Sequence, residues 1–374
     1  MLRVSLVTNE LPPYRVPFFQ ALHSIPDVIL QVAFCSRREP NRYWDFPAPE
    51  FGHVFLPERI IKIGRRYIHN NPGILSVLRR FSPHVIITGG FNPTHLYAFT
   101  YARLLDIPHV AMTDGSLASE QSLTAAHRAV RRYIFRHTRA FIVASEGGMK
   151  LMEAYGVPRH ACFKSSLCIS NQHFAPSSER SEAAFDFLFC GRLEAIKNPS
   201  FALDVAAVTS RLLGRKTSIL FVGAGSEERH LREKATCLAR AVDVSFHPFT
   251  SHDSLPHFYH SARLFLFPSG GDAWGVVANE ACAAGTPVLT SPHAGAAGEL
   301  IVEGVNGEVC ELNVERWAQK AAALLVDTVK WRIYCANSLK MVEPYNYVNA
   351  ARNAAAACTF AFAAKAQRTV GVDP

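Results

Sequence analysis

The chain has 374 residues, 49% of them hydrophobic and 19% charged. At about 150 residues per domain this predicts roughly two domains with sizeable cores, and it excludes a disordered chain, a collagen-like repeat and a small disulfide-stapled fold. The formal charge of +8 is uneven: residues 1–175 hold 20 Lys+Arg against 11 Asp+Glu, and the remainder hold 19 against 20. That distribution speaks against a uniformly basic nucleic-acid binder and for two halves with different partners.

The chain opens on Leu2-Arg3-Val4-Ser5-Leu6-Val7 and turns polar at Thr8-Asn9-Glu10. The apolar run is too short for a signal peptide and reads as a first buried strand. Further strands are expected at 29–34, 85–88, 109–112 and 140–143, with helices between them at 93–105 and 122–136. The polar stretch 171–184 reads as a linker, after which strands recur at 185–189, 218–222, 244–247, 264–267 and 287–290. Such alternation predicts an α/β chain of parallel βαβ units. The expected domains are 1–175 and 176–345, with an Ala-rich helical tail at 346–374 that packs back on the first. The nine cysteines form no CxxC pair and mostly sit in apolar runs, as expected of reduced thiols in a cytoplasmic protein. The apolar run at 354–364 falls short of the roughly 20 residues that a membrane span needs.

In open parallel sheets, ligands bind beyond the carboxyl ends of the strands. In the second half, the strand at 185–189 leads into Cys190-Gly191-Arg192-Leu193-Glu194-Ala195-Ile196-Lys197-Asn198-Pro199. Asn198 reads as a helix N-cap and Pro199 as the first helical residue. Arg192 and Lys197 then share one loop beside a helix start, a combination that suits a pyrophosphate; the alternative is a solvated surface pair. The strand at 264–267 leads into a glycine-containing loop with Asp272, Trp274 and Gly275, then a helix carrying Glu280. Backbone N–H groups of Trp274, Gly275 and Val276 would face the phosphates. Asp272 and Glu280 lie at most roughly 12 Å apart along a helical rise. A carboxylate accepts two hydrogen bonds at once and so suits a vicinal diol. Glu280 sits among Ala and Val, so it needs either a ligand or a designated partner such as a core Arg.

These residues resemble the nucleotide-sugar glycosyltransferases of family 4 (glycosyl transferases group 1). The resemblance rests on Gly191-Arg192 with Lys197, and on Asp272-x₇-Glu280 followed by Ala-x₃-Gly-x-Pro-Val. It covers almost the whole second domain, while the stretch around Asn9-Glu10-Leu11-Pro12-Pro13 is similar to the opening of many members. It implies a GT-B fold of two facing Rossmann-like domains with an interdomain cleft, and retention of anomeric configuration without a metal. Arg192 and Lys197 would hold the diphosphate and stabilise the leaving phosphate, and Glu280 would bind the ribose. Asp272, where the family usually has Glu, would face the donor sugar. Ala273-Trp274-Gly275 replaces the more frequent Gly-Phe-Gly, and His247, Thr250 and Ser251 would lie beside the base.

No Asp-x-Asp, HExxH, Walker or Gly-x-Ser-x-Gly sequence occurs, so no metal ligand set is expected. Phe221-Val222-Gly223-Ala224-Gly225 begins a dinucleotide fingerprint, but Glu228 replaces its third glycine, so it reads as a turn with Ser226 as cap. In the first domain the resemblance leaves the acceptor to loops that follow strands. Glu10 and Arg15 are acceptor-binding candidates. Near the point where many members carry a His that contacts the donor sugar, this chain has Met112-Thr113-Asp114; Asp114 is a base, a sugar ligand or an Asx-turn cap. The partners expected are a nucleotide sugar and a glycan or lipid-linked acceptor, with no nucleic acid. Arg59, Lys62, Arg65, Arg66, Arg79 and Arg80, with Arg128, Arg131, Arg132, Arg136 and Arg139, either seat the domain on an anionic membrane or form solvated faces. The rival readings are a sugar-nucleotide epimerase and a catalytically silent glycan-binding subunit.

Overall fold

The computed structural model describes residues 1–40, 48–64, 66–121, 123–176, 183–248, 250 and 252–369, and of 66, 252 and 366–369 the backbone alone. The chain forms two compact units: Met1–Leu167 together with the residues from Tyr347 onward, and Cys168–Asn346.

Unit 1 is built on β1 (Leu2–Thr8), β2 (Val28–Phe34), β3 (His53–Phe55), the hairpin β4 (Ile60–Ile63) and β5 (Arg66–His69), then β6 (Val85–Thr88), β7 (His109–Thr113), β8 (Ala140–Val143) and β9 (Cys162–Lys164). Seven of these form a sheet in the order β3-β2-β1-β6-β7-β8-β9, every neighbouring pair parallel. Its middle strands are apolar on both faces, since Val4, Leu6, Val7, Val85, Ile86 and Ile87 are all buried. A sheet covered by helices on both sides demands this.

Unit 2 contains β10 (Phe185–Cys190), β11 (Thr217–Val222), β12 (Val242–His247), β13 (Ala262–Phe267), β14 (Val288–Thr290) and β15 (Gly307–Val309). They form a parallel sheet in the order β12-β11-β10-β13-β14-β15. Its core gathers Phe187, Phe221, Leu203, Leu264 and Trp317. In both sheets the strand order reverses at the first strand, β1 lying between β2 and β6 and β10 between β11 and β13. That reversal opens a crevice at the carboxyl ends, where ligands bind in folds of this kind.

The ten strands expected from apolar runs are present. β3, β9, β15 and the hairpin were not expected, being too short for a periodicity. The units divide at Leu167 and Cys168, before the polar stretch that reads as a linker rather than near 176. The reason is the short helix Asn171–Phe174. Phe174 is fully buried, Asn171 Nδ2 donates to Val342 O at 3.0 Å, and His260 Nε2 donates to Phe174 O at 2.9 Å. Residues 177–182 of that stretch lie outside the described residues. The expected helix at 122–136 starts at Ala125, where Thr124 Oγ1 caps the His127 N–H, after a separate helix Leu117–Gln121; Ser122 lies outside the described residues.

The last helix, Tyr347–Thr369, belongs to unit 1. Ala351, Ala354, Ala357, Cys358 and Ala361 are buried at helical spacing, so small side chains let the helix approach closely. Asn353 Nδ2 and Ser165 Oγ fasten it, donating to Lys164 O at 2.6 Å and to Ala350 O at 2.9 Å. Among the described residues no helix is long and apolar enough to cross a membrane.

Candidate functional site

In unit 2 the loops after β10 and β11 are pressed together backbone to backbone. Gly191 N–H donates to Val222 O at 2.9 Å and Leu193 N–H to Ala224 O at 2.9 Å. A Cβ on Gly223 would lie 2.0 Å from Gly191 O, and one on Gly225 would lie 2.3 Å from Leu193 O. Glycine is therefore compulsory at both positions. The glycines that begin a dinucleotide fingerprint here shape the neighbouring loop, which bears Arg192. Ser226 is no helix cap: its hydroxyl donates to Glu194 Oε2 at 2.9 Å, and the helix begins at Glu228.

Arg192 is exposed on this loop; its carbonyl accepts the Glu194 N–H at 2.9 Å, while its guanidinium has no hydrogen-bond or ion-pair partner among the described residues. Lys197 forms an ion pair with Asp272, which lies on the loop after β13, across the reversal point. Asn198 takes the left-handed conformation, with φ +51°. Its side chain does not cap the helix Pro199–Leu213. Instead Nδ2 donates to Pro268 O at 2.8 Å, while Gly270 N–H donates to Ile196 O at 2.7 Å. Two bonds thus strap the Lys197 loop to the Asp272 loop. Sequence spacing read Asn198 as a cap, because capping and bridging both need a short polar side chain.

The helix Val276–Ala283 starts immediately after Gly275, whose φ is +97°. A Cβ at Gly275 would meet the Phe267 ring at 2.4 Å, so only glycine turns the chain here. The Ala278 N–H donates to Gly275 O at 2.8 Å, and the amides before it, which lie at the start of the helix, have the geometry that suits an anion. One expectation fails in part. Trp274 is fully buried, its Nε1–H donates to Asn279 Oδ1 at 2.7 Å, and its ring packs 5.3 Å from Tyr345. Its side chain belongs to the core of unit 2, and its backbone N–H is spent on Asp272 Oδ1 at 3.3 Å. Gly275 and Val276 remain as the amide candidates.

Glu280 is buried in the middle of that helix, and Tyr259 Oη donates to its Oε2 at 2.7 Å. The named partner is therefore a tyrosine, not a core arginine. Burial pushes the Glu280 carboxyl up to about 7, and the Tyr259 hydrogen bond opposes this only in part. His247 ends β12, donates from Nδ1 to Pro248 O at 2.9 Å, and packs its ring 4.5 Å from that of Phe258. Thr250 is half-buried two residues past Pro248, and Ser251 lies outside the described residues.

Unit 1 has a pocket of about 180 Å³ at the carboxyl ends of β1, β6 and β7, lined among others by Thr8, Glu10, Tyr14, Arg15, Gly89 and Asp114. It brings together Glu10, Arg15 and Asp114, three candidates far apart in the sequence. Arg15 Nη2 donates to both carboxylate oxygens of Asp114, at 3.2 and 3.3 Å. Glu10 is buried, and its Oε2 accepts the Glu39 N–H at 3.0 Å. Asp114 caps no Asx turn: the Ser116 N–H, two residues on, goes to Ser119 Oγ at 3.0 Å. Of the basic clusters, Arg131 is not a solvated cation. It pairs with Glu120 and lies 4.5 Å over the Phe91 ring. Arg128, Arg132 and Arg136 are exposed, while Arg65 and the Arg66 side chain lie outside the described residues.

Two parallel α/β units, each with polar residues at its strand-order reversal, define the GT-B class. The solved structure of HepE from Anabaena in complex with UDP shares the fold, with a TM-score of 0.74 over 96% of this chain and 100% of that one at 15% identity. So does the lipopolysaccharide outer core galactosyltransferase WaaB, with a TM-score of 0.71 over 96% and 99% at 15% identity. Residues 171–339, nearly all of unit 2, match the family model of Glycosyl transferases group 1. D-inositol 3-phosphate glycosyltransferase 1 of Catenulispora acidiphila is 30% identical over 176 residues, 45% of this chain and 42% of the relative. Glycogen synthase of Mycobacterium tuberculosis is 26% identical over 241 residues, 62% of this chain and 57% of the relative. The matched segments thus span about half the length of these relatives.

Proposed function

We propose that the chain is a retaining, metal-independent glycosyltransferase of the family 4 kind. It moves a sugar from a nucleoside diphosphate to a glycan or lipid-linked acceptor on the way to a surface polysaccharide or glycoconjugate. The observation that carries the reading is the convergence of Arg192, Lys197 and Asp272 with the start of the helix Val276–Ala283, all at the reversal point of the unit 2 sheet.

In this reading Arg192, Lys197 and the Gly275 and Val276 amides hold the diphosphate. As the bond from the anomeric carbon to the β-phosphate oxygen breaks, negative charge grows on that oxygen, and prearranged cations and amides stabilise it without reorganising. Asp272 keeps Lys197 oriented before the donor arrives and then takes a hydroxyl of the donor sugar. Glu280 receives the ribose diol, and His247 and Thr250 lie beside the base. The acceptor oxygen bonds to the anomeric carbon, and its proton leaves with the departing diphosphate. The acceptor is held by the pocket of unit 1 through Glu10, Arg15 and Asp114. We place the protein in the cytoplasm, with the exposed Arg128, Arg132 and Arg136 available to an anionic membrane surface.

Calorimetric titration with UDP, GDP, ADP, CMP and NAD tests the donor site. Selective binding of one nucleoside diphosphate, lost in Arg192→Ala, is the expected result. A folded protein that binds none of them sinks the transferase reading and leaves the silent glycan-binding subunit. Flotation with anionic vesicles at low and moderate salt tests the membrane; binding that ignores anionic lipid removes that element.

A further inference from the structure

The hairpin of β4 and β5 contributes no residue to either polar site. We infer that its tip inserts into an anionic lipid surface and so presents the unit 1 pocket to a lipid-linked acceptor; the acceptor part rests on the transferase reading above.

The hairpin forms a two-stranded sheet of its own, apart from the seven-stranded sheet. A lone hairpin of this size is marginally stable in water, and its apolar face needs a cover. The antiparallel register sets Ile61 opposite Ile68 and Lys62 opposite Tyr67. Opposed residues and alternate residues share a side. Ile61, Ile63 and Ile68 therefore line one face, and Lys62 stands on the other. Ile61 is 50% exposed and Ile63 60%, and Arg59, Lys62 and Gly64 are exposed with them. In sequence, 59–69 holds Arg59, Lys62, Arg65 and Arg66 and no Asp or Glu. The acid just before it, Glu58, accepts the Arg37 N–H at 2.9 Å.

The base of the hairpin is fixed. Asn70 N–H donates to Arg59 O at 2.9 Å, and Tyr97 Oη donates to Asn70 Oδ1 at 2.9 Å. His69 Nε2 donates to Glu39 Oε1 at 3.0 Å, and the Glu39 N–H donates to Glu10, which lines the pocket. Five residues of strand carry Gly64 roughly 17 Å from His69. Interfacial segments sink about 5–10 Å, so the tip reaches the acyl boundary while the base, and the pocket tied to it, stay at headgroup depth.

Two exposed isoleucines offer far less than the roughly 1,000 Å² that a specific protein interface buries. A lipid surface asks for no shape complementarity: branched side chains enter among the acyl chains, and the flanking cations meet lipid phosphates. Charge complementarity also selects the anionic membrane over a second copy of this chain, whose hairpin carries the same positive charge.

The test is flotation of the full chain with vesicles of phosphatidylcholine alone and of phosphatidylcholine mixed with phosphatidylglycerol. The wild type is expected to float with the mixed vesicles. Ile61→Ser/Ile63→Ser should lose about tenfold or more in partitioning with an unchanged far-ultraviolet spectrum, and Lys62→Ala about fivefold. Ile63→Trp, read against the native tryptophans, should add emission that lipids brominated along their acyl chains quench. A wild type that floats with neither vesicle overturns the inference, as does equal partitioning of the double serine variant or an added tryptophan that bromolipid leaves unquenched. So does a wild-type dimer that the double variant dissociates, because the face is then a protein interface. Calorimetry with UDP, GDP and ADP on the same samples separates the failures. A nucleotide bound without hairpin-dependent flotation defeats this inference alone, and no nucleotide bound defeats the transferase reading.

Discussion

Units 1 and 2 share a plan, a parallel sheet whose strand order reverses beside its first strand, and both gather polar side chains at that reversal. They furnish it in opposite ways. Unit 2 presents an exposed Arg192, a Lys197 held by a single carboxylate, and the amides of a helix start. Unit 1 presents two carboxylates and an arginine already tied to one of them. The first arrangement suits an anion and the second suits hydroxyls. One fold thus carries two different sets of loop residues, which is why function has to be argued from the site rather than the fold.

The largest effect that tests this contrast lies in unit 2. Arg192→Ala and Lys197→Ala should each lower turnover by about 10²–10³, the usual cost of losing one prearranged donor to a developing anion. Steady-state release of nucleotide measures it, and near-normal turnover in either variant breaks the assignment of unit 2 to the anion.

A second contrast is in the interiors. Burial lowers His95 and His109 of unit 1 to about 3, from 6.5. Between those values the unfolded chain takes up protons that folded unit 1 refuses, so stability falls as pH drops below 6.5. At pH 5 the cost is roughly 2 kcal/mol per histidine. Glu280 of unit 2 is raised from 4.5 to about 7. In that window folded unit 2 keeps a proton that the unfolded chain releases, so its contribution to stability grows on acidification and is lost as pH rises toward 7. Hydrogen exchange resolved by unit at pH 7 and pH 5, corrected for intrinsic rates, should show unit 1 losing protection relative to unit 2. Equal losses would remove the contrast.

The same carboxyl sharpens the donor site. If the ribose diol donates to an ionised Glu280, nucleoside diphosphate affinity rises as pH increases through about 7. Glu280→Gln should flatten that profile and cost roughly 1.5–3 kcal/mol of binding at pH 8. A pH dependence that survives in Glu280→Gln assigns the titration elsewhere.

The smallest expected effect is at the Lys197–Asp272 pair. Asp272→Asn releases Lys197, so affinity for the bare nucleoside diphosphate should rise by about 1 kcal/mol, roughly fivefold, even as sugar transfer falls. Parallel losses in both would mean that Asp272 chiefly holds the loop together.

Much of the framework was legible in the sequence. Apolar runs of four to six residues marked the strands of both sheets except the three-residue β3, β9 and β15, because a strand covered on both faces has to be apolar throughout. Gly191-Arg192, Lys197 and Asp272-x₇-Glu280 marked the loops and the helix that carry the candidate donor residues of unit 2, since their spacing along loops and one helix is local geometry. The boundary at Leu167 was not legible: 171–184 is polar, yet Phe174 within it is a core anchor of unit 2. Nor was the fate of Trp274, where the chain turns at Gly275 and carries the indole inward.

The sequence by itself determined the α/β class, the strands of both sheets other than β3, β9 and β15, and the position of the cation-bearing loops, because periodicity and short-range spacing decide these. The tertiary structure alone decided the pairing of Arg15 with Asp114, 99 residues on. It alone decided the bond from Tyr259 to Glu280 and the ion pair of Lys197 with Asp272. Each partner comes from a separate strand end or helix, and only the order in which the strands stack into a sheet brings those ends together.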